Sequence, residues 1–250
     1  GVGIARMEDR YFQTNIIDFS ETKHDESTYS IFGGSIVLEG STLNARQFAT
    51  QGSREKMAAQ IFTGTEHFRS GASKVTKDTP EPYKKVQSWL QVSYQNETYH
   101  KVSPKFTLGA YLEAYYSSRN FSNNYTATLM QAGEFTPTAH SKVTYNEAFR
   151  ANQYAGVGAM PIYQLSESFQ LRGEFYGFIP IFPIKKDEYG QAYYGKAFTK
   201  FEYLGEISLV FQLSFGSISA YVNHYSSPSN DWNVGLTLGL SLIHISEPTR

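Results

Sequence analysis

The sequence predicts an all-β protein, an antiparallel β-barrel that crosses a membrane, on three observations: long stretches of two-residue alternation, connections that switch between short and long, and many aromatics with little charge. The clearest stretch is W-N-V-G-L-T-L-G-L-S-L, residues 232–242, where Trp232, Val234, Leu236, Leu238, Leu240 and Leu242 alternate with Asn233, Gly235, Thr237, Gly239 and Ser241. That repeat gives a strand one apolar and one polar face. At about 3.3 Å per residue and a tilt of roughly 40°, about ten residues cross the apolar band of a bilayer, with a terminal tryptophan at the interface. A strand of a soluble sandwich shows the same alternation, so one strand leaves both readings open.

Composition favours the barrel. Aromatics make up 16% of the 250 residues, led by Tyr 19 and Phe 18, whereas charged residues reach only 18%, against about 25% in soluble domains. The net charge of -1 supplies no basic field for nucleic acid, so no nucleic-acid partner is expected. Without cysteine there is neither a disulfide framework nor a thiolate metal site. No apolar run approaches the roughly 18 residues of a membrane helix, so any crossing is made by strands. The first Met is residue 7 and no basic-then-apolar leader precedes it, which reads as an internal fragment of a longer protein.

In chain order, the first nineteen residues hold one poorly alternating strand. Thr28–Gly40 places Phe32, Ile36 and Leu38 opposite Ser35 and Glu39, and Arg54–Phe68 places Met57, Ala59 and Ile61 opposite Lys56, Gln60 and Glu66. S-G-A-S-K-V-T-K-D-T-P-E-P-Y reads as an exposed loop. Val86–Asn96 and Phe106–Tyr116 follow as a pair of strands around a short turn. Residues 119–152 break the pattern with frequent Asn, Ser, Thr and Pro, apart from a possible brief strand at Tyr125–Met130. A connection this long inside a compact domain is usually functional. Regular alternation then resumes in Tyr154–Leu165, Phe169–Ile181, Thr199–Leu213 and Ser217–Tyr225, giving about ten strands in all. Their lengths exceed the usual mode of about 5–6 residues, and their polar faces carry Arg172, Glu174, Lys200, Glu202 and Glu206.

Catalytic and metal signatures are missing. Gly33-Gly34-Ser35-Ile36-Val37 is the nearest approach to G-x-S-x-G but lacks the last glycine and lies inside a strand. The six histidines form no H-E-x-x-H and read as loop or surface residues, and Glu202 and Glu206 read as solvated lumen carboxylates near Lys200. No catalytic residue, cofactor site or metal site is assigned. The constellation singled out is F-R-A-N-Q-Y, which ends the long connection and contains Phe149, Arg150 and Asn152. Arg150 is either an exposed arginine beside a strand or one folded back into the barrel to meet an acidic lumen residue, because an unpaired guanidinium away from water is costly.

The runs F-T-P-T-A-H-S-K-V-T-Y-N-E-A-F-R-A-N-Q-Y, L-R-G-E-F-Y-G-F-I-P-I-F-P-I-K-K, G-E-I-S-L-V-F-Q-L and I-S-A-Y-V-N-H-Y-S-S-P resemble the C-terminal barrel of patatin-like phospholipases of Bacteroidetes-type bacteria. That barrel is itself similar to the barrel-assembly and two-partner-secretion translocators. The resemblance implies part of a sixteen-stranded outer-membrane barrel over residues 1–243, with residues 119–152 as a long extracellular loop folding inward before the last five strands. It also implies that the loop arginine is Arg150 and its acidic partner Glu174, although F-R-A-N lacks the glycine that follows the arginine in the family's motif. Its implied function is to anchor, or to translocate, a lipid acyl hydrolase whose Ser–Asp dyad lies upstream. The implied partners are outer-membrane lipids, a phospholipid substrate reached through the missing domain, and the barrel-assembly machinery for insertion. Residues 244–250, H-I-S-E-P-T-R, resemble translated sequencing-adaptor read-through, a non-native tail. A porin without an enzyme and a soluble β-sandwich binding module are the rival readings.

Overall fold

A computed structural model describes residues 1–12, 24–71, 82–122, 124–214, 216–227 and 232–240. Most of the expected loop before Tyr83 and the whole of the tail at 244–250 lie outside the described residues. The chain is all-β, built on one ten-stranded antiparallel sheet. Its strands are β1 (Val2–Tyr11), β2 (Asp25–Ser41), β3 (Gly52–Arg69), β4 (Tyr83–Ser103) and β5 (Phe106–Ser117). The intervening segment carries a helix α1 (Tyr125–Gln131) and two short strands, β6 (Gly133–Glu134) and β7 (Arg150–Ala151). Then come β8 (Gln153–Gln164), β9 (Phe169–Pro180), the small hairpin β10 (Ile184–Lys186) and β11 (Ala192–Tyr194), β12 (Glu202–Leu213), β13 (Gly216–Tyr225) and β14 (Trp232–Leu240).

The sheet order β1-β2-β3-β4-β5-β8-β9-β12-β13-β14 is a plain meander, as short antiparallel connections require. Apart from Tyr125–Met130, each expected strand coincides with one of these ten, although Leu165, Ile181 and Thr199–Phe201 fall outside β8, β9 and β12, and residues 241–242 lie outside the described residues. Among the described residues, β1 and β14 pair with no further strand, so sheet closure is not seen.

One expected element is corrected. Tyr125–Met130 is not a strand but most of α1, which the Asn124 side chain caps by accepting a hydrogen bond from the Ala127 N–H at 2.8 Å. The β-branched Thr126 and Thr128 suggested extended chain; the cap and the Thr128 hydroxyl, which donates to the Asn124 carbonyl at 2.8 Å, satisfy the helical alternative locally.

The sheet is strongly curled. Strands β2 and β9 stand five places apart in the sheet, about 24 Å if it were flat, yet the β2–β3 connection touches the far strands. Arg172 Nη1 donates to the Ala49 carbonyl at 2.8 Å, Gln170 Nε2 to the Phe48 carbonyl at 3.3 Å, and the Ser217 hydroxyl lies 3.2 Å from Gln47 Oε1. Phe48 takes φ 55 to make this turn, a left-handed conformation that only tertiary contacts sustain in a bulky residue.

The two faces of the curl differ as the alternation requires. Outward stand Ile4, Ile61, Leu236 and Leu238, exposed by 85%, 65%, 80% and 75%. Inward stand Glu66, Trp89, Tyr99, Tyr111, Tyr154, Arg172, Glu174, Tyr176, Phe178 and Glu206, all buried. The inward side is packed rather than wet: its main cluster joins Tyr99, Tyr111, Tyr154, Tyr176 and Phe178 to Phe135 and Phe149 of the 119–152 segment.

Candidate functional site

The segment 119–152 fills the concave side of the sheet, and its contacts define the site. At its neck, the Ser117 N–H donates to the Asn152 carbonyl at 2.6 Å, while Asn152 Nδ2 reaches the Tyr194 hydroxyl at 3.0 Å. Arg119 then turns inward. Its guanidinium carbon lies 4.5 Å from the Trp89 ring and 5.1 Å from that of Tyr29, and Nη1 donates to Gln131 at 2.6 Å. Burial pulls the Arg119 pKa below its ordinary value, partly offset by nearby Tyr29 and Glu66. Cation–π contact compensates for some of the lost hydration.

The helix α1 ties the segment to β1 and to the β10–β11 hairpin. Asn124 Nδ2 donates to the Tyr11 hydroxyl at 3.0 Å, Gln131 bonds Asp9, and the Tyr125 N–H donates to the Gly190 carbonyl at 3.0 Å. Burial pushes the Tyr125 phenol up to about 12 from 10.0. Because the folded value is raised, its stabilising effect is complete below about pH 10 and disappears as pH climbs through about 12. Protease resistance of residues 119–152 should therefore fall across that window, and Tyr125→Phe should blunt the fall. An identical pH profile in the variant would remove Tyr125 as the cause.

Phe135 and Phe149 are the apolar anchors, each 2% exposed. Phe135 stacks on Phe178 at 5.5 Å and meets Tyr111, Tyr154 and Tyr176 edge-on. It sits directly over Gly156, where a Cβ would come within 2.1 Å of its ring. Glycine there is a requirement of close approach, not of backbone angle. Phe149 packs against Phe178 and Tyr225, both at 5.7 Å.

Deeper in, two carboxylates face each other across strands: Glu174 on β9 is paired in register with Glu206 on β12. Like charges opposite one another repel, and each is matched by its own nitrogen base. Arg172 Nε lies 2.6 Å from Glu174 Oε1, and its other nitrogens reach the Tyr99 hydroxyl at 2.7 Å and the Ala49 carbonyl. His140, from the inserted segment, places Nδ1 2.6 Å from Glu206 Oε1 and stacks on the Tyr221 ring at 3.5 Å. Asn223 Nδ2 donates to the second Glu206 oxygen at 3.4 Å.

The expected pairing of Arg150 with Glu174 is not formed. Arg150 Nη2 pairs with Glu134 at 2.9 Å across the β6–β7 ladder, and Nη1 donates to the carbonyls of Leu129 and Met130 at the end of α1, both at 3.3 Å. A cation at the carbonyl end of a helix is well placed. The reason for the difference is reach. Tyr154, four residues beyond Arg150, pairs with Pro180, and Glu174 lies six residues further down β9, about 20 Å away.

The loop-to-strand contact does exist, but His140 makes it, with Glu206. Neither the surface reading of His140 nor the solvated reading of Glu206 holds, since their side chains are 4% and 1% exposed. Glu202 does lie 3.3 Å from Lys200, but it too is buried, at 8% exposure, so its solvated reading does not hold either. Of the three residues singled out on the segment, Phe149 is a core anchor, Asn152 closes the neck and Arg150 staples the segment to itself. Phe135 and Arg119 carry no motif that marks them as site residues, and His140 reads only as a loop or surface histidine. The available signal was that Glu206 and Arg172 fall on inward positions of long strands and need partners from whatever fills the interior. Compared with protein families, curated proteins and solved structures, the chain matches none.

Proposed function

We propose that the chain is the membrane-spanning barrel portion of a bacterial outer-membrane, patatin-like lipid acyl hydrolase, serving as the anchor or translocator of a catalytic domain encoded upstream. The observation that carries the membrane assignment is the outward face. Ile4, Phe32, Ile36, Leu38, Ile61, Val234, Leu236 and Leu238 are all more than half exposed, on one continuous sheet. Soluble monomers rarely expose an apolar patch beyond a few hundred Å², whereas acyl chains cover such a face without cost in hydrogen bonds. The charged and aromatic interior with an inserted segment supports an anchor or gated translocator over a porin, which needs an open water path. The hydrolase assignment rests on the resemblance.

The two tryptophans test the topology. Trp232 faces outward and is 68% exposed, while Trp89 faces inward and is 6% exposed. In vesicles of brominated phospholipid, the fluorescence of a Trp89→Phe variant, which retains Trp232, should be strongly quenched and that of Trp232→Phe hardly at all. Equal quenching of both, or of neither, would defeat the assignment. The upstream coding sequence tests the enzyme: a G-x-S-x-G with a D-G-[AG] there supports the hydrolase, and a gene without them removes it. Arg150→Ala separates the two roles in the complete protein, because a translocator predicts altered placement of the catalytic domain and a passive anchor predicts none.

A further inference from the structure

The outward face carries a groove. Along β8, β9 and β12 most outward positions are large and apolar, but Ala159, Gly177 and Gly205 fall in adjoining rows. Ala159 pairs with Phe175, which pairs with Gly205; Val157 pairs with Gly177, which pairs with Tyr203. The missing side chains leave a groove of about 650 Å³, walled by Val157, Phe175, Phe201, Ile207 and Val222, within the range of small-molecule sites. Its side-chain polarity is confined to one end. There Tyr203, His224 and Trp232 stand together, with ring centroids 5.9 Å and 4.8 Å apart, next to the longer connections that precede β12 and β14.

We propose that this groove holds one acyl chain of a membrane phospholipid, its polar head at the Tyr203–His224–Trp232 end. The inference rests on the outward face meeting lipid. An extended peptide is a poor occupant: the groove lies on the face of the sheet, where the strands β8, β9, β12 and β13 are paired with one another and have no edge to offer its backbone. An acyl chain needs no hydrogen bond along its length and a polar surface only at its head. Amphipathic rings supply that surface at headgroup depth.

Gly205→Leu fills the groove at little structural cost, since a Cβ at 205 meets Phe175 at 3.6 Å, an ordinary contact. Ala220→Leu adds nearly the same bulk to the outward face of β13, at a position that does not line the groove. The 250-residue chain and both variants would be inserted into vesicles of palmitoyl-oleoyl phosphatidylethanolamine, extracted into detergent and weighed by native mass spectrometry, with heat-shifted gel migration as the record of folding. The wild-type chain and Ala220→Leu should each retain one phospholipid, and Gly205→Leu should hold it roughly tenfold more weakly. Retention unchanged in a folded Gly205→Leu overturns the proposal, as does a folded wild type that keeps no lipid, or a second copy of the chain in the lipid's place. A chain that never enters the vesicles fails differently, because it removes the membrane assignment itself.

Discussion

Arg172→Met is expected to lower the unfolding free energy by about 3–5 kcal/mol, the usual effect of stripping the partner from a buried charge. Arg172 is 2% exposed and serves Glu174, Tyr99 and the Ala49 carbonyl at once. Its loss leaves Glu174 beside Glu206, its register neighbour on β12, while His140 and Asn223 both bond Glu206. It also removes one of the two side-chain bonds from β9 to the β2–β3 connection, leaving the one from Gln170 to the Phe48 carbonyl, so the curl of the sheet loosens together with the ion pair. Adding Glu174→Gln should recover part of the loss, because the stranded charge is then gone, and a double-mutant cycle gives the coupling. Urea titration of the vesicle-inserted chain measures both. A single variant that costs under about 1 kcal/mol would mean that the pair does not organise the interior.

Phe135→Ala should cost a similar amount, about 3–5 kcal/mol, by emptying a site ringed by Tyr111, Tyr154, Tyr176 and Phe178. Its consequence is local as well as global. The inserted segment has no long strand of its own, and its hold on the sheet depends on Phe135, Phe149, His140 and Arg119. Limited proteolysis of the folded variant should cut first within residues 119–152 and leave the ten-stranded sheet intact. Cleavage distributed over strands and segment alike would show that the sheet cannot stand without the segment. Tryptophan emission offers an independent readout, because Trp89 lies against Arg119 at the root of the same segment.

The strands were legible because a two-residue repeat assigns every side chain of a strand to one face at once. Leu236, Ile61 and Phe175 fell outward and Glu206, Glu174 and Arg172 inward, as their alternation required. Nothing in that repeat says what the inward face meets. The polar residues suggested water, whereas the structure brings in a segment of the same chain, and a solvated lumen becomes a packed interior of tyrosines, phenylalanines and matched charges. The short helix was hidden for a related reason: its stability comes from the Asn124 cap and from docking against β1 and β10, not from the propensities of Thr126 and Thr128.

By itself the sequence determined the class of the fold, the order and facing of its ten strands, and the position of the one long interruption, all of which follow from short-range periodicity. Only the tertiary structure decided who partners whom inside. Arg150 enters the sheet through Tyr154, whose register partner Pro180 stands six residues, about 20 Å along β9, from Glu174, while His140 and Glu206, 66 residues apart in sequence, meet at 2.6 Å. Pairings of that kind depend on how far a connection reaches once the sheet has curled, and local alternation carries no record of that distance.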